Sequence, residues 1–314
     1  MATKSNVTSS SCLSFLKDAL LLPTLNAKLF IPVLLLLVIP TFLLQITNVF
    51  CIEPQTMDIL LHINELKKMD PSSPDYAKLA TEILNEAREL AMIAITVMIV
   101  TFVCSFTNQI VAFFATSTTY SGDRYSLTEL FSKVILKGHR LIGPLVTIFM
   151  VDLLNIISML LLAALLQQLA MRHMRVLYMV VLFLLPFLAF LYLNVVFVVA
   201  TAVSVADMEC RGVKALRQAW RLMTRVWRKQ GYVLVVVVHL VAMVPSPLYM
   251  VAHGYSKKSM PMGLALLVLY ALLSGLVQLF YFSSATVFYY QAMESKEVTA
   301  HDYVKIPTGE EATV

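Results

Sequence analysis

Six stretches of this chain are too long and too apolar for the core of a soluble domain: about residues 29–50, 90–116, 141–166, 177–204, 231–252 and 262–289. A helix needs about 20 apolar residues to cross about 30 Å of hydrocarbon, and each stretch meets that length. Asp152 is the one acidic residue inside them, and no Lys or Arg interrupts any of them. With 59% apolar and 14% charged residues the whole chain agrees, since soluble domains carry about a quarter charged residues. The expected fold is an all-α, polytopic membrane bundle of six transmembrane helices. It comprises an N-terminal segment at 1–28, a membrane domain at 29–289 and a tail at 290–314.

The remaining charges set the orientation, because positively charged loops resist translocation. Segments 1–28, 117–140, 205–230 and 290–314 hold 16 of the 24 Lys and Arg residues, which places them, and both termini, in the cytosol. The first run starts too late and is too long for a cleaved signal peptide, so it is expected to remain as an anchor. Endoplasmic reticulum, other endomembranes and the plasma membrane all fit this topology. The sequon at Asn6 then lies on the cytosolic side and stays bare. Cys12 and Cys210 fall near the cytosolic face, where thiols are palmitoylated. The four cysteines form no CxxC pair, and no metal site or cofactor is expected.

The densest charge is in VKALRQAWRLMTRVWRKQ, residues 213–230. At about 100° per residue, Val213, Leu216, Ala219, Trp220, Met223, Val226 and Trp227 share one arc of a helix. Lys214, Arg217, Arg221, Arg225 and Arg228 share the opposite arc. A helix so divided suits the headgroup layer, with indoles sunk and guanidinium groups on phosphate. The same pattern also serves a helix that only enforces topology and braces the bundle. The candidate lipid- or partner-binding residues are Arg217, Trp220, Arg221, Arg225, Trp227 and Arg228. Anionic lipid headgroups and membrane or cytosolic proteins are the expected partners, and nucleic acid is not.

Weaker versions of this device recur. Ser126 and Glu129 have capping-box spacing ahead of Leu127, Leu130, Phe131 and Val134, with Gly138 as the stop. Near the N-terminus Leu13, Leu16 and Leu20 recur at helical spacing before Pro23. Pro32 and Pro144 hold the same offset in KLFIPVLLLLV and RLIGPLVTIFM, so the chain reads as three weakly similar units, each an amphipathic helix followed by a helical hairpin. On the other side of the membrane, residues 51–89 are expected to form a helix, a DPSSPD break and a second helix running into the next span.

Within the membrane the strongest candidate is Asp152, since a carboxylate there costs several kcal/mol. Asn155 and Ser158 continue its face, and Asn194, Gln278, His239 and Asn108 are placed to converge on it. The cluster reads either as a proton- or cation-binding site or as hydrogen-bonded structural glue. Pro40, Pro186, Pro245 and Pro247 are expected to interrupt spans. Phe280, Tyr281, Phe282, Phe288, Tyr289 and Tyr290 are expected to face lipid, and the acidic tail to be disordered. No HExxH, GxSxG, P-loop or GxGxxG is present, so no enzyme is expected.

The stretch ATAVSVADMECRGVKALRQAWRLMTRVWRKQGYVLV, residues 200–235, resembles a recurring element of a plant family of six-span membrane proteins of uncharacterised function. It is more distantly similar to the non-catalytic membrane domain joined to some bacterial glycerophosphodiester phosphodiesterases. Asp207 through Trp220 carries the likeness most specifically. The resemblance implies the six-span fold and supplies no catalytic residue, and the phosphodiesterase barrel has no counterpart here.

Overall fold

The computed structural model describes residues 13–136, 142–171, 176–207, 210–256 and 258–304. The elements are α1 (Ser14–Leu25), α2 (Ala27–Thr47), α3 (Glu53–Leu66), α4 (Pro74–Tyr120), α5 (Leu127–Leu136), α6 (Ile142–Met171), α7 (Val176–Ala206), α8 (Val213–Arg221), α9 (Arg228–Met243), α10 (Ser246–Ser256) and α11 (Met260–Val304). No strand occurs among the described residues. Six helical runs are long and apolar enough to cross a membrane: Ala27–Leu66, Pro74–Tyr120, Ile142–Leu169, Leu182–Ala206, Arg228–Ser256 and Met260–Ser295. The chain is an all-α, multi-pass membrane protein. A short helix precedes a pair of long helical runs three times in its order, at α1, α5 and α8.

Several boundaries differ from the sequence reading, each for a local reason. The first span does not stop at 50, because a π-turn at Asn48–Ile52 carries the helix on to Leu66. Pro32 and Pro40 leave α2 helical, and Pro186 stays inside α7. Pro245 is the proline that separates two helices, at the junction of α9 and α10. The tail is helical as far as Val304, since Gln291 to Val304 are mostly good helix formers and contain neither Gly nor Pro. Asn6, Cys12 and Gly138 lie outside the described residues, as does the tail beyond Val304.

The chain divides into two compact units. The first comprises residues 1–32, 110–241 and 279–314, and contains α1, α5, α6, α7 and α8 whole. Its core combines small and β-branched residues, Ala112 and Ala115 on α4, Val195, Val199, Ala200 and Val203 on α7, and Ala285 and Val287 on α11, with the buried rings of Phe113 and Phe288. Lipid offers no hydrophobic gain for helix pairing, so small residues that allow close approach and hydroxyls that bond across helices hold such a bundle. Thr116 meets Thr286 at 2.9 Å and Ser117 meets Tyr290 at 2.7 Å. The α1 helix joins this core through Phe15, Leu16, Ala19 and Leu22, all buried. The sequence reading put Leu13 and Leu20 on one face with Leu16, but Phe15 is buried beside Leu16 while both of those leucines are exposed.

The second unit comprises residues 33–109 and 242–278. Val49, Ala252 and Leu267 form its core, flanked by Phe42, Ile46, Phe50, Tyr249 and Leu266. Two histidines tie α3 to its neighbours. His62 Nδ1 lies 3.0 Å from Glu86 Oε2 on α4, and His253 Nε2 on α10 lies 3.1 Å from Glu53 Oε1. Between α3 and α4 the amide and hydroxyl of Ser72 both donate to Asp70 Oδ1, at 3.1 and 2.7 Å, closing an Asx turn. Those two bonds hold the Asp70 carboxyl below its ordinary range.

Candidate membrane-surface site

The basic segment is positioned from its N-terminal side by a hinge at Gly212. Its φ of +54° and ψ of −121° suit glycine and strain any residue with a Cβ. Its amide donates to Thr147 Oγ1 on α6 at 2.8 Å, and Thr147 is wholly buried. From this hinge α8 packs on α7, with Ala215 and Ala219 buried, and Leu222 and Met223 are buried just beyond its end. The two alanines allow the backbones to approach closely. Gln218 adds polar contacts, accepting from Cys210 Sγ at 3.2 Å and donating to Met293 Sδ at 3.5 Å.

The surface of this segment has three sectors rather than two. At about 100° per residue, the buried residues occupy one arc and Lys214, Arg217, Arg221 and Arg225, all exposed, occupy the opposite one. Between them lies an apolar arc that the protein leaves uncovered, with Val213 70% and Trp220 46% exposed and Leu216 half-buried. The four cations are spaced over roughly 16 Å of helix. No ion pair among the described residues reaches them.

Trp220 stands edge-on to Tyr192 of α7 at 5.9 Å, and Tyr192 lies 6.0 Å from Tyr232 of α9. The Arg228 guanidinium sits 5.8 Å over the Tyr232 ring. These four residues form an aromatic patch topped by a cation, the composition found where hydrocarbon meets headgroups. Tyr192 and Tyr232 were missed by the sequence reading, which treated each span as apolar surface. Tyr232, just after Arg228 and Lys229, carried a signal in the sequence, whereas Tyr192, inside its span, carried none.

The segment is not one helix, and Trp227 does not share the role of Trp220. A π-turn at Leu222–Val226 follows α8, the Trp227 amide bonds back to Leu222 O at 2.9 Å, and α9 begins at Arg228. The Trp227 ring is 6.2 Å from Phe15 and 5.7 Å from Phe288, and those two are 6.0 Å apart. It packs against rings from two elements, α1 and α11, and is half-buried. Gly231 lets the turn close: a Cβ there would lie 3.1 Å from the Met223 carbonyl oxygen. Val226, placed on the apolar arc by spacing alone, is 37% exposed after the π-turn.

Of the intramembrane candidates, the structure joins Asn155 and Asn194 and adds Tyr281. Asn194 Nδ2 donates to Asn155 Oδ1 at 3.4 Å, and Tyr281 donates to Asn194 Oδ1 at 2.7 Å. Asp152 lies one turn from Asn155 on α6, half-buried. His239 turns back to the Val235 carbonyl at 2.8 Å, and Asn108 and Gln278 belong to the second unit. Tyr281 therefore departs from the lipid-facing series. Phe282, Phe288 and Tyr289 depart with it, since all three are buried. A tyrosine inside an apolar span needs a partner for its hydroxyl, and that need was the signal the sequence reading passed over.

No curated protein and no solved structure matches the chain. The chain belongs to the family described as a domain of unknown function, DUF8558, which it matches over residues 4–296.

Proposed function

We propose that this protein organises the cytosolic leaflet of an endomembrane or of the plasma membrane, holding anionic lipid headgroups on the basic face of α8 and presenting that surface to membrane or cytosolic proteins. In this reading both termini are cytosolic, as the distribution of Lys and Arg favours. The likeness to the plant six-span family is part of it. The observation that carries it is the three-sector segment: a protein-facing arc, an uncovered Trp220 arc, and four exposed cations with no ion pair among the described residues. Such a helix satisfies all three sectors only where protein, hydrocarbon and phosphate meet. Guanidinium groups bind phosphate through paired N–H donors. Each basic residue near an anionic leaflet contributes about 1 kcal/mol.

The test compares the wild-type chain with an Arg217/Arg221/Arg225/Arg228→Gln variant, purified in mild detergent, for the lipids and proteins each retains. Four such residues amount to about 4 kcal/mol at low salt, so anionic lipid retention falls steeply and the difference narrows as salt rises. Equal recovery of anionic lipid and of protein partners from both would reduce α8 to a topology anchor.

One observation favours a second reading. The chain Asn155–Asn194–Tyr281 links three spans beside Asp152, a polar thread of the kind that lines small-solute or ion transporters. That reading requires Asp152→Asn to leave the fold intact and to abolish a flux measured in liposomes.

A further inference from the structure

The α1 helix is apolar on two faces, and no described residue covers one of them. Phe15, Leu16, Ala19 and Leu22 pack inward, whereas Leu13, Leu20, Leu21 and Leu25 are 56%, 62%, 48% and 58% exposed. Projected at about 100° per residue, these four leucines share the outward half of the helix with Lys17, Asp18 and Thr24. Water is a poor solvent for such a face. Its surroundings follow from continuity: Asn26 ends α1 and α2 begins at Ala27, so the leucine face is followed six residues after Leu25 by Ile31, 61% exposed on the first span. Lys17 and Lys28, both exposed, are long enough to reach headgroups from that depth.

We infer that α1 lies in the leaflet on the side of the chain termini, its leucine face sunk among acyl chains just below the headgroups. Each pair of spans returns the chain to its starting side, so α8, with Val213 and Trp220 uncovered, enters the same leaflet. Two helices thereby add apolar volume to one leaflet only. A molecule built this way is accommodated best where that leaflet is convex and its headgroups are spread apart. The protein is thus a curvature-selective membrane component, a property that depends on the six-span topology and not on anionic lipid.

The experiment uses the full chain, labelled at its C-terminus, in giant vesicles of neutral phosphatidylcholine from which narrow tubes are pulled. Neutral lipid removes the headgroup charge, so failure here and failure of the anionic-lipid reading are distinct results. Fluorescence removed by a membrane-impermeant quencher counts the molecules whose termini face outward. Those molecules should be enriched in the tube relative to a lipid dye, increasingly as the tube narrows. A Leu13/Leu20/Leu21/Leu25→Gln variant should lose the enrichment. Wild-type protein that partitions like the dye overturns the proposal. A second measurement covers a variant that fails to fold: Leu20→Trp in a Trp220→Phe/Trp227→Phe background, with brominated phosphatidylcholine as quencher. Strong quenching supports burial of α1 in the leaflet. Unquenched emission overturns it, and Leu20→Cys dimers cross-linking under the same conditions would assign the face to a second copy of the chain.

Discussion

The two tryptophans are the only ones in the chain, and the structure gives them opposite surroundings, which makes the architecture of the basic segment directly measurable. Trp220 is 46% exposed and its ring stands perpendicular to that of Tyr192. A tryptophan presents about 250 Å², so about 115 Å² of Trp220 is left uncovered. At about 25 cal/mol per Å², placing that area in hydrocarbon rather than water is worth about 3 kcal/mol, enough to hold the indole in the membrane. Trp227 is half-buried, with its ring against Phe15 and Phe288. Trp227→Phe leaves Trp220 as the sole emitter, and Trp220→Phe leaves Trp227. In vesicles containing phosphatidylcholine brominated near the headgroup end of its chains, Trp220 emission should be strongly quenched and Trp227 emission largely spared. Aqueous iodide should affect neither strongly. Equal quenching of both by lipid, or quenching of Trp220 by iodide, would refute the three-sector description of α8.

Two further perturbations probe what holds the segment and its neighbour in place. Gly231→Val puts a branched side chain against the Met223 backbone, where even a Cβ would come within 3.1 Å of the carbonyl oxygen. Overpacking of this kind costs about 1–3 kcal/mol, and the expected result is a lower melting temperature in detergent with faster tryptic cleavage at Arg225 and Arg228. At α5 the Ser126 amide donates to Glu129 Oε2 at 2.8 Å, while the Glu129 amide meets Ser126 Oγ at 3.4 Å. The backbone bond and then the hydroxyl of Ser126 hold the Glu129 carboxyl below its ordinary value of 4.5. A depressed pKa means that the contribution is present above the unfolded value and lost as pH falls through the lower folded one. Hydrogen exchange at the Ser126 amide should therefore lose protection only in acid below about 4.5, and Glu129→Gln should remove that pH dependence.

How much of this was legible depends on the length scale of the signal. The six spans were plain because about 20 consecutive apolar residues have few other destinations. The basic arc of α8 was legible for a similar reason, since charge cannot be buried cheaply and so reports its own exposure. The apolar residues could not be sorted in this way. Leucine and tryptophan are at ease against protein or lipid, so periodicity alone did not tell Trp220 from Trp227, or the inner face of α1 from its outer one. Tyr281 was lost to the same ambiguity: an aromatic in a span looks like lipid surface until a partner such as Asn194 is brought to it from another helix. The ends of the first span were hidden because a π-turn at Asn48–Ile52 needs neither Gly nor Pro.

The break at Trp227 carries the same lesson and explains the shape of the whole segment. In the proposed reading a helix that runs along a leaflet and then feeds a span has to turn at the junction, and the chain turns between α8 and α9 with neither Gly nor Pro in the π-turn. The turn gives up regular helical hydrogen bonds and substitutes the i to i−5 bond from Trp227 to Leu222. Three aromatic contacts among Phe15, Trp227 and Phe288 form at the same place, each worth about 0.5–1.5 kcal/mol beyond the area it buries. They draw on α1, α11 and the corner itself. With Gly212 anchored on Thr147 at one end and Gly231 closed on Met223 at the other, the direction in which the arginines point is set by protein contacts. The basic face is thus preformed, and binding a headgroup on it does not carry the cost of ordering the backbone that a disordered basic tail would meet.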